Sequence, residues 1–136
     1  LAAYGVELAG KRVALVGNGR LVGAPLARMW RASGYDVTVY DSKSADMAAA
    51  LKEYAVIVTA TGVPGLITSD MVQIGATVVD AGTAAEHGGV VGDVAASVRE
   101  RDDLTITPEK GGVGPLTIAA LLDNVITAAR RAASAE

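Results

Sequence analysis

Apolar positions along the chain fall into two kinds of pattern: short unbroken runs, and stretches where they recur every three or four residues. Arg12 to Val16 is a run of the first kind and stops at Gly17; Pro25 to Ala32 is of the second kind and stops at Ser33-Gly34. This order predicts a strand, a glycine turn and a helix. A second strand is predicted at Asp36 to Tyr40, ending at Asp41. A short alanine-rich helix follows at Ala45 to Tyr54, its inner face carried by Met47, Ala48 and Leu51, and then a third strand at Ala55 to Ala60. The strands are continuously apolar rather than alternating, as expected of a parallel sheet covered on both faces. Beyond Gly62-Val63-Pro64-Gly65, a helical piece is predicted at Ser69 to Gln73, a fourth strand at Thr77 to Asp80, and a fifth at Leu104 to Thr107. Between the last two, Ala84 to Gly92 has the composition of a hairpin or loop with His87-Gly88-Gly89 at its tip. A long helix from Leu116 to about Ala133 closes the chain, with Ile118, Leu121, Leu122, Val125 and Ile126 on one face. The expected class is α/β: a Rossmann-like doubly wound parallel sheet with helices on both faces, residues 1–136 forming one domain.

Composition narrows the function classes. Half of the residues are apolar, few are aromatic and none is phenylalanine, so the core must be built from Val, Ile, Leu and Ala. At 136 residues such a chain can bury roughly two thirds of its unfolded surface. A formal net charge of -3 provides no basic footprint for nucleic acid or an anionic membrane. With no cysteine, disulfides, thiolate metal sites and cysteine nucleophiles are excluded, and no metal-ligand cluster stands out, which suits a cytoplasmic setting. No run approaches the length of a membrane span, so no membrane partner is expected. The opening Leu1-Ala2-Ala3-Tyr4 reads as the last turns of a helix and suggests a piece of a longer protein.

Candidate chemistry concentrates in Gly17-Asn18-Gly19-Arg20-Leu21-Val22-Gly23, between the first strand and the first helix. Glycines there permit a tight turn and close approach to a pyrophosphate, while the helix N-terminus offers free N–H groups to an anion. The third glycine comes one residue later than in the G-x-G-x-x-G fingerprint. Asp41-Ser42-Lys43 ends the second strand, where a dinucleotide fold reads the adenosine ribose. A carboxylate there accepts from ribose hydroxyls and repels a 2′-phosphate, whereas a hydroxyl and an ammonium can hold one. Alternatively, Asp41 caps the next turn and Lys43 is a solvated charge. His87 is expected to be an exposed loop residue, and Asp80 and Asp93 to cap backbone rather than to act as an acid–base pair.

Several segments occur in one order with fitting spacing: Gly10-Lys11-Arg12-Val13, Gly17 to Pro25, Thr61-Gly62-Val63-Pro64-Gly65-Leu66-Ile67, Val79-Asp80-Ala81-Gly82, Val91-Gly92-Asp93-Val94, and Ile106 to Thr117 with its Gly111-Gly112-Val113-Gly114-Pro115-Leu116-Thr117 core. Together they resemble the C-terminal domain of the bifunctional methylenetetrahydrofolate dehydrogenase/cyclohydrolase family, over about Tyr4 to Ala129. The resemblance implies oxidation of 5,10-methylenetetrahydrofolate with NADP or NAD, and hydrolysis of the methenyl product to 10-formyltetrahydrofolate. Folate would lie in a cleft shared with an N-terminal domain that supplies the catalytic lysine, tyrosine and aspartate; this chain has no counterpart of them and no catalytic residue of its own. Carried over, Gly17, Asn18 and Gly19 would lie under the cofactor phosphates, with Arg20, Val22 and Gly23 completing that turn. Ser42 and Lys43, beside Asp41, would meet the ribose, Thr61-Gly62-Val63-Pro64 would wall the cleft, and Gly82-Thr83 would lie by the nicotinamide. Gly111, Gly112, Val113 and Gly114 would approach the tetrahydrofolate, Pro115 suiting the first turn of the last helix. The family forms homodimers, and its last helix packs toward the other domain.

Departures bear on the cofactor. Asn18 stands where relatives commonly carry arginine, and Asp41 where they commonly carry histidine; both favour NAD, while family habit favours NADP. Pro108-Glu109-Lys110 replaces the usual Pro-Val-Pro, and Thr83-Ala84-Ala85 replaces an Ile-Asn-Arg type. The alternatives are the cofactor domain of another two-domain dehydrogenase, such as shikimate dehydrogenase, and a non-catalytic dinucleotide-sensing module.

Overall fold

The computed structural model describes residues 1–86 and 89–134. Five parallel strands form the sheet: β1 (Arg12–Val16), β2 (Asp36–Tyr40), β3 (Val56–Thr59), β4 (Thr77–Asp80) and, after the hairpin strands β5 (Ala84–Glu86) and β6 (Gly89–Val91), the short edge strand β7 (Thr105–Ile106). Their order is β2-β1-β3-β4-β7. The chain therefore leaves β1 toward one edge, returns, and continues toward the other, as a doubly wound sheet does. The expected strands all occur, within one residue at each end.

Alternation along β1 divides the core. Val13 and Leu15 face a cluster with Leu8, Ala27, Val37, Val56 and Val58 beneath helix α1 (Gly23–Ala32). Ala14 and Val16 face the opposite cluster, with Leu51, Tyr54, Ile57, Val78, Val94 and Val98, under helices α2 (Met47–Leu51) and α3 (Ala96–Arg99). Successive strand side chains point to opposite faces, so an apolar run with helices on both sides is buried throughout. The Tyr40 and Tyr54 hydroxyls lie 3.0 Å apart, their rings edge to face. Burial and this hydrogen bond push Tyr40 up to about 12. For Tyr54 burial acts upward but is outweighed by hydrogen bonds with Thr38, Tyr40 and Arg12, which hold it below its ordinary value.

The helices differ more from expectation. Helix α1 starts at Gly23, two residues early, and α2 is half the expected length. Asp46 sits before α2 in the left-handed region (φ 55), which breaks helical continuity with Ala45, and Ala48 of the expected inner face is exposed. Helix α3 was not anticipated; its one turn buries Val98, four residues after the buried Val94. Helix α4 (Val113–Ala133) begins three residues early, so Val113 and Gly114 are helical and Pro115 lies in the first turn, where its missing N–H costs no intrahelical bond. Within the expected hairpin or loop of Ala84 to Gly92, β5 and β6 pair antiparallel; the expectations for His87 and Gly88 fall outside the described residues. No described helix is long and apolar enough to cross a membrane.

Candidate functional site

At the carboxyl ends of β1 and β3, where the strand order reverses, the ladder ends in two loops. Gly17 N–H donates to the Tyr40 carbonyl at 2.7 Å, and Ala60 N–H to the Val16 carbonyl at 2.8 Å. Gly17 has φ 103, and a Cβ there would stand 2.5 Å from the Ala60 carbonyl oxygen, so both backbone shape and space require glycine. The late third glycine, Gly23, is buried, and a Cβ on it would overlap the Gly17 carbonyl. Its absence lets α1 come down onto the turn, the packing role of the third glycine, reached here with one more residue in the loop. Gly19 contrasts with both: a Cβ there would meet nothing within 4 Å.

Val16, Gly17, Asn18, Gly19, Asp41, Ser42, Thr61 and Val63 line a cleft of about 520 Å³ above this switch point. All of these except Val16 are expected from the sequence. Asp41 forms a tight turn: its Oδ1 accepts from Lys43 N–H at 2.9 Å and from the Ser44 hydroxyl at 3.2 Å, while Asp41 N–H donates to Ser44 Oγ at 2.9 Å. Turn capping and a place in the cleft thus coexist at Asp41. Lys43 and Arg20 are exposed and outside the cleft lining; Val22 is the N-cap of α1.

A second cleft, of about 240 Å³, lies over the ends of β4 and β7 and brings together Gly82, Thr83 and Gly111 to Gly114 with Asp80, Arg99 and Glu109. Residues some thirty positions apart in sequence meet there because β4 and β7 are neighbours. Gly62, next to Thr61 of the first cleft, approaches Thr83 of the second: a Cβ on it would stand 3.3 Å from the Thr83 carbonyl oxygen. Pro64 lies in an adjoining groove with Arg99 and Glu109.

Beneath both clefts the strand ends are tied by two carboxylates, each capping backbone as expected. Asp80 accepts from Gly82 N–H at 3.1 Å and Asp93 N–H at 3.0 Å through Oδ1, and from Val94 N–H at 3.2 Å through Oδ2. Arg99 donates to Asp80 Oδ2 at 2.5 Å and to the Thr107 carbonyl at 3.0 Å, bridging β4 to the loop after β7. Asp93 is fully buried, and its Oδ2 accepts from the Thr59 hydroxyl and from Thr61 N–H, each at 2.6 Å. Sequence reading missed Arg99; the signal available was the Val94–Val98 spacing, which marks a helical turn and places Arg99 beside it. Among the described residues no group of histidine and carboxylate side chains could hold a metal.

The family model for the tetrahydrofolate dehydrogenase/cyclohydrolase, NAD(P)-binding domain, matches residues 1–133. The chain belongs to this family. It is 44% identical over 127 residues to the bifunctional protein FolD of Macrococcus caseolyticus, and 45% identical over 127 residues to that of Nocardia farcinica, in both cases over 93% of this chain and 45% of the relative. The solved FolD of Campylobacter jejuni superposes with a TM-score of 0.87 at 39% identity, over 96% of this chain and 46% of that one. FolD of Trypanosoma brucei, solved with NADP cofactor and inhibitor, superposes with a TM-score of 0.86 at 36% identity, over 97% of this chain and 48% of that one. The chain thus spans about 45% of the length of the curated relatives it matches. Membership makes it a nicotinamide-dinucleotide-binding domain by family, and the α/β fold is the one expected.

Proposed function

We propose that residues 1–136 form the cofactor-binding domain of an enzyme that oxidises 5,10-methylenetetrahydrofolate to the methenyl form and hydrolyses that to 10-formyltetrahydrofolate. The observation that carries this reading is the approach of two clefts at Gly62, which follows Thr61 of the first and lies against Thr83 of the second: one cleft holds the glycine turn and the Asp41 carboxylate, the other the Gly111–Gly114 run. The residues fit a dinucleotide. Gly17 and Gly23 are glycines because the protein's own backbone fills their Cβ positions, whereas a Cβ on Gly19 would meet no protein atom within 4 Å, which leaves that side of the turn open to a ligand. Gly17, Asn18 and Gly19 would carry the phosphates, their turn running into the N-terminus of α1. Asp41 and Ser42 would meet the ribose, and Thr61 and Gly62 would wall the passage to Gly82 and Thr83. When bound, the nicotinamide supplies the hydride acceptor. Gly111 to Gly114 would let the flat folate ring approach backbone.

The proposal takes NAD as the preferred cofactor, because Asp41 lies in the cleft lining and Lys43 does not, and Asn18 adds no cation. A carboxylate at that place disfavours a 2′-phosphate. The proposal extends to a cytoplasmic, homodimeric parent enzyme whose catalytic side chains come from a further domain against which α4 packs. Large exposed apolar patches mark such contact surfaces, and Leu116, Ile118, Leu121, Leu122, Val125 and Ile126 are each half exposed or more.

Calorimetric titration of the chain with NAD and NADP, alongside the Asp41→Ala variant, tests the cofactor assignment. Wild type is expected to bind NAD more tightly, and the variant to gain NADP affinity. Equal affinities unaffected by the substitution would remove Asp41 from the ribose site. If neither nucleotide binds at millimolar concentration, the chain is not a dinucleotide module by itself; methylenetetrahydrofolate oxidation by the full gene product then decides the larger assignment.

A further inference from the structure

Asp93 lies in neither cleft lining, yet it holds the segment between them at both ends. Its carboxylate accepts from Thr61 N–H at 2.6 Å, and its main-chain carbonyl accepts from Ile67 N–H at 3.0 Å. The loop from Thr61 to Ile67 is thus bracketed by a single residue, and Ala95 N–H returns to the Ile67 carbonyl at 2.9 Å. The same carboxylate underlies the opposite wall: a Cβ on Gly82 would overlap it. Asp93 in turn is fixed by Asp80, which accepts from its N–H at 3.0 Å.

Asp93 Oδ1 is buried and has no hydrogen-bond partner among the described residues. An unsatisfied buried carboxylate oxygen lowers stability and calls for a reason. The other carboxylate oxygen is committed to the Thr59 hydroxyl and Thr61 N–H, so the group is held in place with Oδ1 left unpaired on the side of Gly82.

We infer that Asp93 is a positioning residue for the nicotinamide half of the cofactor: its carboxylate sets the separation between the Thr61–Pro64 wall and the Gly82-Thr83 wall without touching the ligand. This rests on the dinucleotide reading of the site. Asn18, Asp41 and Ser42, proposed for the adenosine half, share the first cleft with Thr61 but none of them hydrogen-bonds Asp93, so the nicotinamide half responds more strongly when Asp93 is changed.

The test is calorimetric titration of the chain with NAD and with ADP-ribose, which lacks the nicotinamide, together with a thermal melt of each variant. Asp93→Ala is expected to weaken NAD by about tenfold or more and to leave ADP-ribose within about twofold, while Asp93→Asn, which keeps an oxygen for Thr61 N–H, holds NAD within about threefold of wild type. If the alanine variant loses its cooperative melt, Asp93→Ser, whose shorter side chain cannot span to Thr61, is read in its place. Equal losses for both ligands, or undiminished NAD affinity in a folded variant, overturn the inference and leave the cofactor reading intact. A wild-type chain that binds neither ligand overturns both.

Discussion

Helices α1 and α4 arise from the same kind of sequence signal, apolar residues at helical spacing, and the structure treats them differently. Helix α1 buries Gly23 and Ala27 and packs Leu26 and Trp30 against the β1–β3 core. Helix α4 buries nothing; its apolar face stays between 50 and 65% exposed from Leu116 to Ile126. Periodicity reports that a helix has an apolar face and not what covers that face. The difference follows from the connections. The turn before α1 is short and pressed against Gly17, which directs the helix back over β1 and β2, as the hand of a βαβ crossover requires. Helix α4 instead follows the short edge strand β7 at the margin of the sheet, and none of its residues joins either core cluster.

The comparison is broken or sharpened most strongly by paired truncations. Ile57→Ala, in the fully buried centre of β3, is expected to cost about 2–5 kcal/mol in urea unfolding. Leu121→Ala on α4 should cost less than about 0.5 kcal/mol. Comparable losses would mean that α4 is covered in solution, and the contrast would fail. Next in size, Gly23→Ala is expected to destabilise by about 1–3 kcal/mol, because its Cβ would meet the Gly17 carbonyl and push α1 off the turn. Gly19→Ala, whose Cβ would meet no protein atom within 4 Å, should change stability by less than about 0.5 kcal/mol yet weaken dinucleotide binding. A Gly19→Ala chain that binds as wild type does would show that the turn carries no ligand.

The last effect appears only at high pH and concerns the Tyr40–Tyr54 pair beneath α2. Tyr40 in the folded chain is raised to about 12 from an ordinary value of 10.0. Its contribution to stability is therefore fully present below pH 10 and is lost as pH rises from 10 toward 12. Tyrosinate absorbance on titration should show a late step that Tyr40→Phe removes; a Tyr40 that titrates at its ordinary value would mean that the region under α2 is open to water.

Strands were the most legible part of the sequence, because burial on both faces leaves continuous apolar runs that glycine and aspartate terminate sharply, as at Val16-Gly17 and Tyr40-Asp41. Helix ends were less so. The α2 boundary depends on a left-handed Asp46, a backbone state that the Ala45-Asp46-Met47 sequence does not announce. The site was legible where its residues are contiguous, at Gly17 to Gly19 and Asp41-Ser42. Its remaining parts needed the fold: Arg99 gains significance only because β4 and β7 are neighbours, and Asp93 only because the Ile67–Val94 bridge lays its turn beside Thr61.

By itself the sequence determined the class of fold, the strand–turn–helix order and the glycine turn, since these follow from local periodicity and from backbone conformations open to few residue types. Tertiary structure alone decided which distant segments share a cleft, which carboxylates cap backbone from beneath it, and whether an amphipathic helix is covered. Those outcomes depend on strand order and on contacts between residues far apart in the chain, and local pattern carries no information about either.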